Sequence, residues 1–210
     1  MQGRRLVGAE APRDFQVRAW DALAARRHVL VVQPTGGGKS AVYQALALAG
    51  GKLTIVITPL ISLARDQVSE LNERVQRELG DATPDFAAAL GGAATEADAL
   101  QRALSGQYSL LYVSPETLQT VAPLLAWADR VGRIEVGAVA IDEAHCTRWA
   151  SWRAAYGVVA ELLEAHLPNV PRVALTATAS AEQVEFELPA ACGLRLLPGD
   201  TLVGFVERPN

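Results

Sequence analysis

Cysteine is scarce in this 210-residue chain. The two present, Cys146 and Cys192, stand far apart and match no metal-ligand spacing, so unpaired, buried thiols in a reducing cytoplasm are expected. Long apolar runs are missing too: no stretch of about 18 or more uninterrupted apolar residues occurs, and no membrane span is expected. The N-terminal MQGRRLVGAEAPRD lacks an apolar core long enough for a secretory leader. Nor is there a basic excess. A net charge of −4 argues against coating nucleic acid by bulk electrostatics, although it leaves room for a local basic groove. Residues 1–30 lean basic through Arg4, Arg5, Arg13, Arg18, Arg26 and Arg27, which surface solubility explains nearly as well. Internal repeats and low-complexity tracts are absent. Aromatics are few, with four each of Trp, Tyr and Phe, yet Trp149, Trp152 and Tyr156 crowd into DEAHCTRWASWRAAY at 142–156.

What is present is alternation. Apolar runs at 28–35, 53–60, 86–90, 108–114, 134–142 and 172–178 read as strands, and helical stretches follow them. The helix predicted over 62–79 repeats Leu63, Val68, Leu71, Val75 and Leu79 at helical spacing with charges between. Further helices are expected around 116–129, 153–167 and 180–190. Strands apolar on both faces and each followed by a helix imply an α/β fold, a mainly parallel sheet with helices on both faces. Such a sheet places ligand sites in the loops at the carboxyl ends of its strands, here after residues 34, 58, 114, 141 and 176. At half apolar, the chain suits one large domain. GDATPDFAAALGG at 80–92 is expected to be its softest region, and TLVGFVERPN is expected to end it without a downstream domain in this sequence.

PTGGGKS at 34–40 lies between a predicted strand and a predicted helix. There the N–H groups of Gly36, Gly37 and Gly38 can curl round a phosphate, helped by the partial positive charge of the helix N-terminus. Lys39 would reach the terminal phosphates and the Ser40 hydroxyl would hold Mg²⁺. Gln33 stands where the general phosphate-loop pattern has its first glycine, so Thr35-Gly36 is expected to form the turn by another route. This is read as a nucleotide site.

A second carboxyl-edge loop begins with Asp142-Glu143. Asp142 can hold Mg²⁺, directly or through water, and Glu143 can polarise the water that attacks the terminal phosphate. His145 belongs to the same four-letter string, DEAH.

PTGGGKS, TPLISLARDQV, LLYVSPE, DEAH, LTATA and the closing ERPN occur in an order and at spacings that resemble the first motor domain of RecQ-type DNA helicases, in helicase superfamily 2. The resemblance runs from about residue 12 to the end and implies a three-layer, RecA-like P-loop NTPase domain over 12–205. It leaves 1–11 as an N-terminal extension and 206–210 as the start of a linker to a second RecA-like domain. It also implies ATP and Mg²⁺ as cofactors, with Arg13 and Gln16 reading the adenine edge and Lys39, Asp142, Glu143 and His145 as the catalytic set. Pro59, Leu60, Ser62 and Arg65 match a motif that lies along one DNA strand. Thr176 and Thr178 match the motif that links the nucleotide site to DNA. Trp149, Trp152 and Arg153 resemble the family's aromatic-rich loop, where bases stack on rings for roughly 1–3 kcal/mol each. That loop is about two residues shorter here, reads Arg148-Trp149 in place of a Gln-Trp pair, and lacks the His-Asp pair ahead of the aromatic.

The implied partners are single-stranded or tailed duplex DNA and the second RecA-like domain in cis, with no membrane. The chain is expected to be part of a longer protein, or a truncated product, nearly inactive alone because the second domain supplies the arginine fingers. Two other readings stay open: a superfamily 2 helicase of a DNA-modification or phage-defence system, and an ATP-dependent nucleic-acid-binding module without motor activity.

Overall fold

The computed structural model describes residues 11–80, 83–91, 96–151, 155 and 157–204. Its elements alternate from the first turn onward: α1 (Asp14–Ala24), β1 (Val29–Val32), α2 (Ser40–Gly50), β2 (Leu53–Ile57), α3 (Ile61–Leu79), β3 (Ala87–Leu90), α4 (Glu96–Leu104), β4 (Leu110–Val113), α5 (Pro115–Arg130) and β5 (Val136–Ile141). A 3₁₀ helix at Ala144–Ser151 follows, then α6 (Val159–His166), β6 (Arg172–Thr176), a π-helical turn at Gln183–Glu187, α7 (Leu188–Cys192) and β7 (Thr201–Val203). The sheet runs β3-β4-β2-β5-β6-β1-β7, and every pairing is parallel.

Parallel strands bury both faces, and here successive residues feed two cores. Val29 and Val31 of β1 and Val56 of β2 face a core shared with Ala19 and Leu23 of α1, Val42, Tyr43 and Ala47 of α2, and Leu71 and Val75 of α3. Leu30, Val32, Ile55 and Ile57 face the other, against Leu118, Val121 and Leu125 of α5, Leu163 of α6 and Leu188 of α7. That alternation is the period-two geometry of a strand. Each such Leu, Ile or Val contributes about 1.5–3 kcal/mol when fully buried. Both cysteines are buried, and no disulfide joins them.

Four expectations change. TLV near the end is a seventh strand: Leu30, Val31 and Val32 pair with Thr201, Leu202 and Val203. Three residues were too short to register as a run, and pairing with β1 defines them. On α3 the buried stripe is Ala64, Leu71 and Val75, with Val68 partly buried, while Leu63 and Leu79 are exposed. The small Ala64 lets the helix sit close to the sheet, and this turns Leu63 out. The helix expected over 153–167 begins only at Val159, because a 3₁₀ helix occupies 144–151 and Gly157 and Val158 form a turn. The helix expected near 180–190 is present but contains a π-helical turn at Gln183–Glu187 ahead of Pro189, which has no N–H for an interior helical bond.

One side chain adds to the pairing of the edge strand β3 with β4. Asn72 of α3 accepts from the N–H groups of Phe86 and Ala87 at 2.9 and 2.8 Å and donates to the Ala87 carbonyl at 3.0 Å. At the amino end of β6, Arg172 is fully buried and donates to the Gly193 carbonyl at 2.7 Å and to Glu164 at 3.2 Å.

Candidate functional site

The loop between β1 and α2 is shaped by its glycines. Gly37 N–H donates to the Pro34 carbonyl at 2.9 Å and closes a turn. Gly36 and Gly38 hold φ of 73° and 80°, where residues with a Cβ are strained. A Cβ on Gly37 would sit 2.6 Å from the Pro34 carbonyl oxygen, and one on Gly38 would sit 2.9 Å from Gln16 Nε2. At Gly36 the same space is open. Lys39 is buried, and its Nζ donates to the carbonyls of Gln33 and Pro34 at 3.0 and 3.3 Å.

The start of α1 clasps this loop. Gln16 is buried; its Oε1 accepts from Arg13 N–H at 2.8 Å and its Nε2 donates to the Gly38 carbonyl at 2.8 Å. Arg13 donates to the Gly37 carbonyl at 2.8 Å, and Trp20 Nε1 to the Val42 carbonyl at 2.9 Å. One amide N–H and one lone pair of Gln16 remain for a base edge.

Across the sheet edge, Asp142 N–H donates to the Ile57 carbonyl at 2.9 Å, which carries β5 into the acidic turn. Glu143 follows at φ 49°, a left-handed conformation that turns the chain sharply. Asp142 Oδ1 accepts from Glu143 N–H at 3.0 Å and Oδ2 from the Tyr43 hydroxyl at 3.1 Å. Burial, then the neighbouring Glu143 carboxylate, push the Asp142 carboxyl above its ordinary value, opposed by those two hydrogen bonds and the Lys39 charge. Burial likewise pushes Tyr43 well up and Tyr112 up to about 12, so both phenols stay protonated.

These parts enclose one cleft of about 340 Å³, lined by Thr35, Gly36, Gly38, Lys39, Ser40, Thr58, Leu60, Leu63, Tyr112, Asp142 and Glu143 among others. Its donor set suits a phosphate with a hard cation. The glycine loop and Lys39 line one side, and the Ser40 hydroxyl and Asp142 carboxylate offer oxygens. Among the described residues no group of three or more His, Cys, Asp or Glu side chains could hold a metal alone. Magnesium typically needs only one or two protein oxygens plus substrate phosphates. Thr58, Leu63, Gln67, Tyr43 and Tyr112 were missed by sequence reasoning. The two tyrosines left a signal, since each places a hydroxyl inside an otherwise apolar buried stretch.

His145 ties this cleft to β6. Thr176 Oγ1 donates to the Thr178 carbonyl at 2.9 Å, which commits its only proton. The 3.0 Å contact of His145 Nδ1 with Thr176 Oγ1 is therefore a donation from His145, so Nδ1 carries a proton. Glu143 Oε2 lies 3.3 Å from the same nitrogen. Glu143, His145, Thr176 and Thr178 form one continuous polar path.

Four of the residues proposed for nucleic acid, Pro59, Leu60, Ser62 and Arg65, lie beside the cleft. Leu60, Ser62 and Arg65 are exposed and Pro59 half-buried at the start of α3. Arg65 donates to the Gly91 carbonyl at 2.5 Å. Trp152, Arg153 and the Trp149 side chain lie outside the described residues.

A parallel sheet with a glycine phosphate loop and an acidic turn on one edge defines a P-loop nucleotide hydrolase. The DEAD/DEAH box helicase model matches residues 13–186, and the chain belongs to that family. Within it, the chain corresponds to the first motor domain of RecQ-type, superfamily 2 enzymes. The "ATP-dependent DNA helicase RecQ" of Pasteurella multocida is 35% identical over 209 residues, covering 98% of this chain and 30% of that protein. The mouse "Bifunctional 3'-5' exonuclease/ATP-dependent helicase WRN" is 36% identical over 190 residues, covering 90% of this chain and 12% of that protein. The chain thus spans at most about a third of these relatives. Among solved structures, the DUF1998 helicase MrfA bound to DNA and AMPPNP superimposes with a TM-score of 0.69 at 19% identity, over 96% of this chain and 28% of that one. At that identity the likeness speaks for the fold. Among the described residues no helix is long and apolar enough to cross a membrane.

Proposed function

We propose that the chain is the ATP-binding motor domain of a RecQ-like 3′–5′ DNA helicase. Joined to a second RecA-like domain, it couples ATP hydrolysis to movement along single-stranded DNA and to duplex unwinding. The observation that carries this reading is the single cleft that gathers Lys39, Ser40, Asp142 and Glu143. On this reading residues 12–205 are the nucleotide domain and 206–210 begin the connection onward. Their surroundings are those of the cytoplasm.

Lys39 is already desolvated, so exchanging the carbonyls of Gln33 and Pro34 for phosphate oxygens adds no new burial of charge. Thr35 and the loop of Gly36, Gly37 and Gly38 would wrap the phosphates, the Gly37 N–H leaving the Pro34 carbonyl to do so, and Arg13 and Gln16 would meet the base. Mg²⁺, when bound, neutralises charge on the phosphate oxygens, and Ser40 and Asp142 are the residues that would hold it. Glu143 orients the attacking water, and His145, hydrogen-bonded to Thr176, lies 3.3 Å from the Glu143 carboxylate. Pro59, Leu60, Ser62 and Arg65 would meet DNA phosphates, Trp149, Trp152 and Arg153 its bases, and Thr176 and Thr178 would relay that contact to Glu143.

The test uses a two-domain protein. Glu143→Gln should keep nucleotide binding and lower DNA-stimulated turnover about 100-fold or more, while Lys39→Ala should lose binding. Trp149→Ala with Trp152→Ala should abolish DNA stimulation and spare basal turnover. Unwinding of a 3′-tailed duplex by the 210-residue chain alone, or unchanged turnover in Glu143→Gln, would overturn the reading.

A further inference from the structure

Behind the acidic turn two phenols meet that belong to neither nucleotide motif. Tyr43 is fully buried on α2, one turn after Ser40, and its hydroxyl donates to Asp142 Oδ2 at 3.1 Å. Tyr112, 1% exposed at the carboxyl end of β4, packs against it edge-on, ring centroids 6.0 Å apart at 85°. Phenylalanine would fill either space equally well, and each hydroxyl costs desolvation to bury. A reason for the hydroxyls is therefore needed, and the geometry supplies one.

A carboxylate held by one backbone donor can still rotate about its terminal torsion. Asp142 has a donor on each oxygen, Glu143 N–H on Oδ1 and Tyr43 on Oδ2, and two donors on different oxygens fix the carboxylate plane. Tyr43 also shares α2 with Ser40, the helix's first residue. One hydrogen bond thus sets the gap between the Ser40 hydroxyl and the Asp142 carboxylate. Tyr112 lines the same cleft, and although Tyr43 and Gln44 are near, its buried hydroxyl has no partner of good geometry.

We propose that Tyr43 is a positioning residue that fixes the Asp142 carboxylate relative to Ser40 for a divalent cation, and that the Tyr112 hydroxyl takes a water of that cation's shell. The inference rests on the reading of the cleft as a metal–nucleotide site. Partners that orient a metal ligand typically contribute about 10–100-fold in metal affinity.

The experiment titrates Mn²⁺, followed by electron paramagnetic resonance, into the 210-residue chain with ADP present. In parallel, a fluorescent ADP analogue is titrated with Mn²⁺ and with EDTA. Tyr43→Phe should weaken Mn²⁺ binding about 10-fold and leave the affinity in EDTA unchanged. Tyr112→Phe should weaken it about threefold, the loss of one water-mediated contact. If Tyr43→Phe also lowers the melting point, the ratio of metal-dependent to metal-free nucleotide affinity decides, because misfolding lowers both alike. An unchanged ratio in Tyr43→Phe overturns the inference while leaving the nucleotide reading intact. No nucleotide binding by the unaltered chain in either condition overturns the nucleotide reading itself, and the inference with it.

Discussion

Thr176 touches both halves of the nucleotide cleft: its carbonyl accepts from Gln33 N–H at 3.0 Å and its hydroxyl from His145 Nδ1 at 3.0 Å. This follows from strand order, because β6 lies between β5, which delivers the acidic turn, and β1, which delivers the phosphate loop. A Thr176→Val change keeps shape and the backbone bond and removes only the hydroxyl. In a two-domain protein it should lower DNA-stimulated ATP turnover about 10-fold, the equivalent of one hydrogen bond. Nucleotide affinity should stay level in a binding titration.

The glycines of the phosphate loop should rank by what a methyl group would meet. Gly36→Ala faces open space and the strain of φ 73°, and should cost about 1 kcal/mol. Gly37→Ala drives a Cβ to 2.6 Å from the Pro34 carbonyl oxygen and should cost at least about 2 kcal/mol, with nucleotide binding lost. Urea denaturation of the two variants checks the order, and a reversed order would contradict the loop geometry.

Asp200, 2% exposed, pairs with Arg27 and accepts from Leu197 N–H at 3.3 Å, which fastens the loop ahead of β7 to the end of α1. Arg27→Ala strands a buried carboxylate and should cost about 3 kcal/mol, a melting point about 6–12 °C lower. Arg27→Ala with Asp200→Asn should recover at least half of that loss, since the stranded charge is then gone.

Burial and the adjacent Glu143 disfavour the charged form of Asp142. Asp142→Asn should therefore raise the melting point of the nucleotide-free protein at neutral pH while abolishing metal binding. The sign follows from linkage. The folded carboxyl titrates above the unfolded one, so its cost is full above the folded value, shrinks as pH falls between the two, and vanishes below the ordinary 3.8. Melting curves of both proteins across that acid range should converge.

Much of the fold was legible because its apolar runs are continuous and alternate cleanly with helical stretches. The six longer strands, the parallel sheet and the junction of PTGGGKS between β1 and α2 followed from local pattern. β7 was hidden because three residues carry too little period, and only pairing with β1 makes Thr201–Val203 a strand. Leu63 was assigned to the core by spacing that Ala64 fits as well, and close packing of α3 decided between them. Gln16 was read as a base contact, and the sequence could not indicate that both ends of its amide also bind Arg13 and Gly38.

The sequence by itself determined the chemistry: a glycine loop with Lys39 and Ser40, an acid pair at Asp142-Glu143, and strands that end where those groups are needed. Only the tertiary structure decided which side chains hold them. Tyr43 lies 99 residues from Asp142 and His145 lies 31 from Thr176. A local motif fixes what a residue can do within a few positions along the chain. Orientation is set by neighbours from other strands and helices, and those meet only when the parallel sheet brings the carboxyl ends of β1, β4, β5 and β6 to one edge.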